Sequence, residues 1–262
     1  MKEVRATLES QLGHAACPAE DTEDMFWLRE TDDYGSKVAL GNALARQYRF
    51  RDAASAYREA LEIRDDEPMT WIRLGGAELT LFRFEPAREA FHQCLDRGGG
   101  KKSIAYHMGF WHYLRGDYPG AADWFRKCLP CGDEMKIAVI YWHTLSCVRG
   151  GQASELLPQY SPEMQVGHHT AYAAAVSVFC GEKNVETVQR QGLEDPEDLN
   201  ASITLYGLTA WLEGQGRNAE AAALRKQLLK RDSAWPCLSY LAAWHDEHRK
   251  NNNENSIEEE AK

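Results

Sequence analysis

Apolar and polar positions follow a helical beat along this chain, and from Ser36 to Leu129 the beat itself repeats. Gly41, Gly75 and Gly109 stand 34 residues apart, twice over. Twelve residues after each comes an alanine: Ala53, Ala87 and Ala121. Four further on comes an aromatic: Tyr57, Phe91 and Phe125. A small residue follows (Ala60, Cys94 or Cys128), and then Leu61, Leu95 or Leu129. Apolar residues three and four apart make one face of an amphipathic helix, and self-similarity at this period marks stacked supersecondary units. The pattern predicts three helix pairs. They are Ser36–Gln47 with Asp52–Arg64, Thr70–Leu81 with Glu85–Asp96, and Lys102–Leu114 with Tyr118–Leu129. Pro68 sits at a helix start, where proline is tolerated, and Gly98-Gly99-Gly100 breaks the chain between units.

The period continues with more noise. Gly150 stands 34 residues after Gly116 and ends a predicted helix Lys136–Val148, but Pro158 and Pro162 cut the expected partner short. Further helices are predicted over 168–180, Asn184–Gln191, Leu199–Glu213 and Asn218–Lys230. Trp235–Arg249 reads as a last helix with Asp246, Glu247, His248 and Arg249 facing solvent, the polar cap that a stack of repeats requires. Upstream, Val4, Leu8 and Leu12 suggest one short helix and Glu23–Leu28 a second, capped by Asp21 or Thr22. Phe26 and Trp27 are expected to pack on the first repeat as a lid, because leaving them in water forgoes a large burial gain. The expected organisation is a lid over 1–33, repeats at 34–67, 68–101 and 102–135, and a degenerate stretch at 136–198. A further pair at 199–232, a cap at 233–250 and a disordered acidic tail at 251–262 complete it.

The second unit, with Trp71, Leu74, Gly75, Ala87 and Phe91, resembles a tetratricopeptide repeat. So do the first (Leu40, Gly41, Ala53, Tyr57, Ala60) and the third (Gly109, Tyr118, Ala121, Phe125, Cys128). None of the three carries the family tyrosine at position 11 or the family proline near position 32. The resemblance implies an all-α fold, a right-handed α-α superhelix of about six helical hairpins. It also implies a concave face lined by particular positions of each first helix. Mapped onto this chain, those positions give a groove of Asn42, Arg46, Ile72, Leu79, Tyr106, Phe110, Tyr113, Ile140 and Thr144. Tyr106, Phe110 and Tyr113 are the expected anchors, and Asn42 and Arg46 the expected polar contacts. The implied function is a non-catalytic scaffold that binds a protein or peptide partner, with an amphipathic helix in the groove as the expected mode. The basic pattern with which some such repeats clamp acidic chaperone tails is missing, since Val38, Arg73, Ser103 and His107 occupy its places beside Asn42. Two alternatives stand beside the scaffold: a groove that serves self-association into a homo-oligomer, and a metal-binding or hydrolytic protein using His143, His168, His169 and the cysteines.

Composition changes this picture at a few points. The net charge is −10, which argues against nucleic acid and against anionic membrane surfaces. The opening MKEVRATLESQLG carries no apolar run of the signal-peptide kind, and no stretch approaches the length of a membrane span. A cytoplasmic location is therefore expected. The seven cysteines are expected to be free thiols, the Cys128–Cys131 pair included, because one such pair lacks the four ligands of a structural zinc site. His168 and His169, read as neighbours on a helix, would point about 100° apart and share no ion. The chain has no phosphate loop, nucleophile elbow or dinucleotide fingerprint, so neither a cofactor nor a metal is expected.

Overall fold

The computed structural model describes residues 21–260, and the side chains of 21–249. The predicted first helix around Val4, Leu8 and Leu12 lies outside the described residues. Those described form helices and no strand. In chain order they are α1 (Glu23–Glu30), α2 (Tyr34–Arg46), α3 (Phe50–Ile63), α4 (Pro68–Thr80), α5 (Phe84–Asp96), α6 (Lys101–Leu114) and α7 (Tyr118–Arg126). They continue with α8 (Asp133–Arg149), α9 (Thr170–Phe179), α10 (Val185–Glu194), α11 (Asp198–Gly214), α12 (Asn218–Leu228) and α13 (Leu238–Glu260). Two compact units result, Met1–Trp111 and His112–Lys262, with the boundary inside α6.

In the first unit α2 packs on α3, α3 on α4, and α4 on α5. The repeated glycines permit this. A methyl group on Gly41 would lie 2.4 Å from the Tyr57 ring, and one on Gly75 would lie 2.4 Å from Phe91. Each aromatic of a second helix therefore rests directly on the backbone of a first helix. Leu40, Leu44, Ala53, Ala54 and Leu74 fill the core around these contacts.

Both α2 and α4 end in the same turn. The Arg49 amide donates to the Leu44 carbonyl and the Arg83 amide to the Glu78 carbonyl, each at 2.9 Å. Such a closure needs a left-handed residue just past the helix, usually glycine. Here Tyr48 (φ 63°) and Phe82 (φ 55°) take that conformation. Each ring packs on the aromatic two residues on, Tyr48 on Phe50 and Phe82 on Phe84. On α1, Met25 turns inward, while Phe26 and Trp27 remain 55 % and 63 % exposed. The two aromatics expected to form a lid thus lie on the outer side of a short helix whose inward position is already filled. Asp21 forms ion pairs with Arg29 and Arg49 and caps nothing, and Thr22 is the N-cap without a side-chain bond.

The second unit keeps the turn but restores glycine to it: Gly116, Gly151, Gly181 and Gly216 all have φ between 70° and 78°. The closing bond recurs from Gln152 to Cys147, Glu182 to Ser177 and Arg217 to Leu212. The repeat's turn therefore persists after its second-helix pattern has faded. Beyond Gly151, only a short 3-10 turn, Leu157–Gln159, stands where a second helix was expected. Pro158 and Pro162 account for this, since neither can donate to a helix interior.

The unit is centred on α11, which packs against α8, α9, α10, α12 and α13. Its positions 201–210 are all buried, as are 137–147 of α8. Surrounded this way, these stretches have no wet face, and several of their polar side chains bond within the helix, although Ser202 Oγ finds no hydrogen-bond partner among the described residues. Thr209 donates to the Leu205 carbonyl at 2.9 Å and Ser146 to the Trp142 carbonyl at 2.7 Å.

The last helix corrects a second expectation. It starts at Leu238, with Trp235 buried in the turn before it. Asp246 and Glu247 do not face solvent; they point inward as partners of Arg149 and Arg225. The backbone of α13 runs on through the stretch 251–260. That stretch contains neither proline nor glycine to stop a helix.

Candidate functional site

The nine residues predicted to line a groove separate by exposure. Ile72, Leu79, Phe110, Tyr113, Ile140 and Thr144 are buried. Asn42 and Tyr106 are half-buried, and Arg46 is exposed. The apolar positions that the repeat pattern assigns to the inner face are thus filled from within. Phe110, an expected anchor, has no exposed surface at all. Tyr113, another, is consumed in the second unit. Its hydroxyl lies 3.0 Å from that of Tyr206, and its ring packs edge-on against Trp142 at 5.1 Å.

What remains accessible in the first unit is polar and cationic. The Tyr57 hydroxyl donates to Asn42 Oδ1 at 3.0 Å. Burial pushes the Tyr57 phenol above its ordinary pKa, while the guanidiniums of Arg73 and Arg46 pull it the other way, so both cations bear on this hydroxyl. Among the described residues, neither arginine has a carboxylate partner. Their neighbours do: Arg49 pairs with Asp52, Arg58 and Arg83 with the fully buried Glu78, Arg88 with Glu85 and Arg97 with Asp65. Two guanidiniums without carboxylate partners stand out in a chain of net charge −10. His107 lies nearby on α6, its ring 3.5 Å from the point where a Gly76 methyl would sit, and burial lowers its pKa. The sequence names Arg73 only as a departure from a known clamp, and nothing in the pattern shows that the charges of Arg46 and Arg73 both bear on Tyr57.

The second unit holds a cleft of about 450 Å³ among Tyr118, Val148, Arg149, Glu213, Asn218, Asp246 and Arg249. Its floor is an ion network. Arg149 Nη2 donates to Glu213 at 3.0 Å and to Asp246 at 2.6 Å. The wholly buried Arg225 donates to Glu213 at 2.9 Å and to Glu247 at 3.1 Å. The Tyr206 hydroxyl donates to Asp246 at 2.9 Å, and Arg149 stacks 5.3 Å above the rings of both Tyr113 and Tyr206. Burial pushes the Asp246 carboxyl up, but the Arg149 and Arg225 charges and the hydrogen bonds from Arg149 and Tyr206 together outweigh it and hold the group below the usual carboxylate range. Arg149 and Arg225 thus face three carboxylates, an arrangement that fixes packing.

Residues 36–64, spanning the α2–α3 pair, match the family model for the tetratricopeptide repeat. The helical pairs, the glycine–aromatic contact and the recurring turn belong with that match. The α2–α3 pair is a tetratricopeptide repeat. No curated protein matches the chain. The tetratricopeptide repeat points to a protein–protein interaction module, and among the described residues no helix is long and apolar enough to cross a membrane. The described cysteines are all free, with Cys94, Cys128 and Cys147 buried.

Proposed function

We propose that this protein is an interaction scaffold that binds a peptide segment carrying carboxylates on the inner positions of its first unit. Arg46 and Arg73 supply the charge, Asn42 bonds the peptide backbone and Tyr106 flanks them. Ile72, Leu79 and Phe110 act as the framework beneath; Tyr113, Ile140 and Thr144 do the same in the second unit. The observation that carries this reading is the pair of arginines without counterions at the Tyr57–Asn42 hydrogen bond. Charge-assisted bonds to a carboxylate are about twice as strong as neutral ones, and a planar guanidinium can grip both oxygens. Rim charges also make binding depend on salt.

A peptide array probed with the full chain provides the test, followed by titration of the strongest sequences. Acidic sequences should dominate, and Arg46→Ala with Arg73→Ala should weaken them by at least ~10-fold, about 1.4 kcal/mol. Both side chains reach the surface, so this variant keeps the core that a Phe110 substitution would break. If the double variant binds the same sequences as tightly as the parent, this face is not the site. Exposed Phe26 and Trp27 favour a second reading, self-association through α1. A mass that rises with concentration, and that falls back to the monomer in Trp27→Ser, would support it.

A further inference from the structure

Two adjacent histidines were set aside in the sequence because helical neighbours diverge. In the structure they precede the helix. α9 begins at Thr170, His169 is its N-cap with φ −84° and ψ 28°, and Gly167 just before takes φ +54°. Both imidazoles thereby turn toward the start of α8, where Glu134 projects from the first turn. The ring centroids of His168 and His169 are 4.2 Å apart. One donor atom from each of Glu134, His168 and His169 lies within 4.8 Å of the other two.

Three further observations show that this meeting is built. A methyl group on Gly167 would lie 2.0 Å from Glu134 Oε1, so only glycine leaves the carboxylate its place. The Gln165 amide donates to Asp133 Oδ2 at 3.2 Å, pinning the loop to the same helix end. Last, His169 Nδ1 is buried without a hydrogen-bond partner, and a buried polar atom left so is costly.

We propose that Glu134, His168 and His169 form a binding site for one divalent transition-metal ion of the zinc type. Two imidazole nitrogens and one carboxylate oxygen make the set of three protein ligands found in open zinc sites, with a fourth position left for water. Tetrahedral ligand bonds of about 2.1 Å place two donors about 3.4 Å apart. The present spacing, at most 4.8 Å, closes when each donor pair draws together by about 1.4 Å or less, a shift shared between two side chains. Imidazole and carboxylate donors favour zinc, copper or nickel, whereas calcium takes six or more oxygens. The positive ends of α8 and α9 oppose a cation, but only by about 1 kcal/mol each. The ion would tie the 161–169 loop to α8 at the place where the missing second helix leaves that loop unsupported.

The test uses the full, tag-free chain stripped with a chelator and titrated with zinc ion alone, then with calcium. One zinc per chain is expected, with no saturable calcium binding. Second-sphere substitutions around zinc cost 10–100-fold in affinity, so loss of a direct ligand should cost at least ~100-fold. His168→Ala makes the cleanest probe because its side chain is exposed, and Glu134→Gln removes charge with little change of shape. Helix content and the metal-free unfolding midpoint of both variants should equal those of the parent. Absence of saturable zinc binding overturns the proposal. So does a His168→Ala variant that binds like the parent, or binding lost in Cys128→Ser with Cys131→Ser in place of the histidine variant. None of these outcomes bears on the peptide face of the first unit.

Discussion

In the first unit, a helix meets its partner over a glycine and a ring; in the second, α11 is wrapped by five neighbours and carries polar side chains into the interior, Thr209 bonded to its own helix and Ser202 Oγ without a partner among the described residues. The two arrangements use different chemistry. Gly41 with Tyr57 and Gly75 with Phe91 are the same contact made twice, and each is complete within one repeat. The second unit also sets a glycine on a ring, Gly207 on Tyr141, where a methyl group would lie 2.7 Å from the ring, but there the contact joins α11 to α8 and not the two helices of one repeat. Its interior joins α8, α11, α12 and α13 through Arg149, Arg225, Glu213, Asp246 and Glu247, residues spread over about a hundred positions of sequence. Nearest-neighbour packing gives stability that adds repeat by repeat. A shared ionic core couples distant segments, so that losing one member strands the others.

Removing a guanidinium tests that difference most severely. Arg149→Ala leaves Asp246 and Glu213 buried beside each other with one counterion fewer. Breaking a buried pair costs about 3–5 kcal/mol. Denaturant unfolding should show a loss of this order, and hydrogen exchange should place it in α8, α11 and α13 while α2–α5 keep their protection. Equal loss of protection in α2–α5 would mean that the units are not energetically separate.

The turns allow a finer comparison, since the first unit spends aromatics where the second spends glycines. Left-handed conformation costs about 1–2 kcal/mol for a residue with a side chain. Phe82 is buried, and truncating a buried phenylalanine costs about 3–5 kcal/mol, so Phe82→Gly should destabilise by about 2–3 kcal/mol after relief of the backbone. Tyr48 is only half-buried, and its stacking on Phe50 adds about 0.5–1.5 kcal/mol. Tyr48→Gly should therefore leave the midpoint within about 1 kcal/mol of the parent. The same change made at both turns with the same loss would show that the rings do not act through burial.

Acid gives the smallest effect. Burial depresses the pKa of His107 in the first unit and of His143 and His245 in the second. A histidine whose folded pKa is lowered stabilises the fold fully above its unfolded value near 6.5. That contribution is lost as pH falls below 6.5 toward the folded value, at no more than about 1.4 kcal/mol per pH unit for each group. Exchange measured at pH 7.5 and 5.5 should show the second unit weakening more than the first, in keeping with His143, His245 and the similarly lowered His169 against His107 alone.

Much of the fold could be read from the chain because helix packing here is local. The spacing of Gly75, Ala87 and Phe91 names both the two helices and the way they touch, and the observed α4 and α5 fall within two residues of their expected bounds. The candidate sites were far less legible. Six of the nine expected groove residues are buried, because a position on an inner face says nothing of how tightly the next helix closes on it. Asp246 and Glu247 read as a wet cap, since their partners Arg149 and Arg225 lie 97 and 22 residues away and no local pattern announces them.

The sequence by itself determined most of the helices and their pairing in the repeats. These depend on neighbours three, four and sixteen residues apart, whose meeting costs little chain entropy. Only the tertiary structure decided which charges face one another. It placed Arg46 and Arg73 at Tyr57 without counterions, brought Glu134 to His168 and His169 across a loop, and sealed Arg225 among carboxylates. Each of those meetings depends on how separate segments dock, and electrostatic energy depends on distance and burial, neither of which a linear pattern contains.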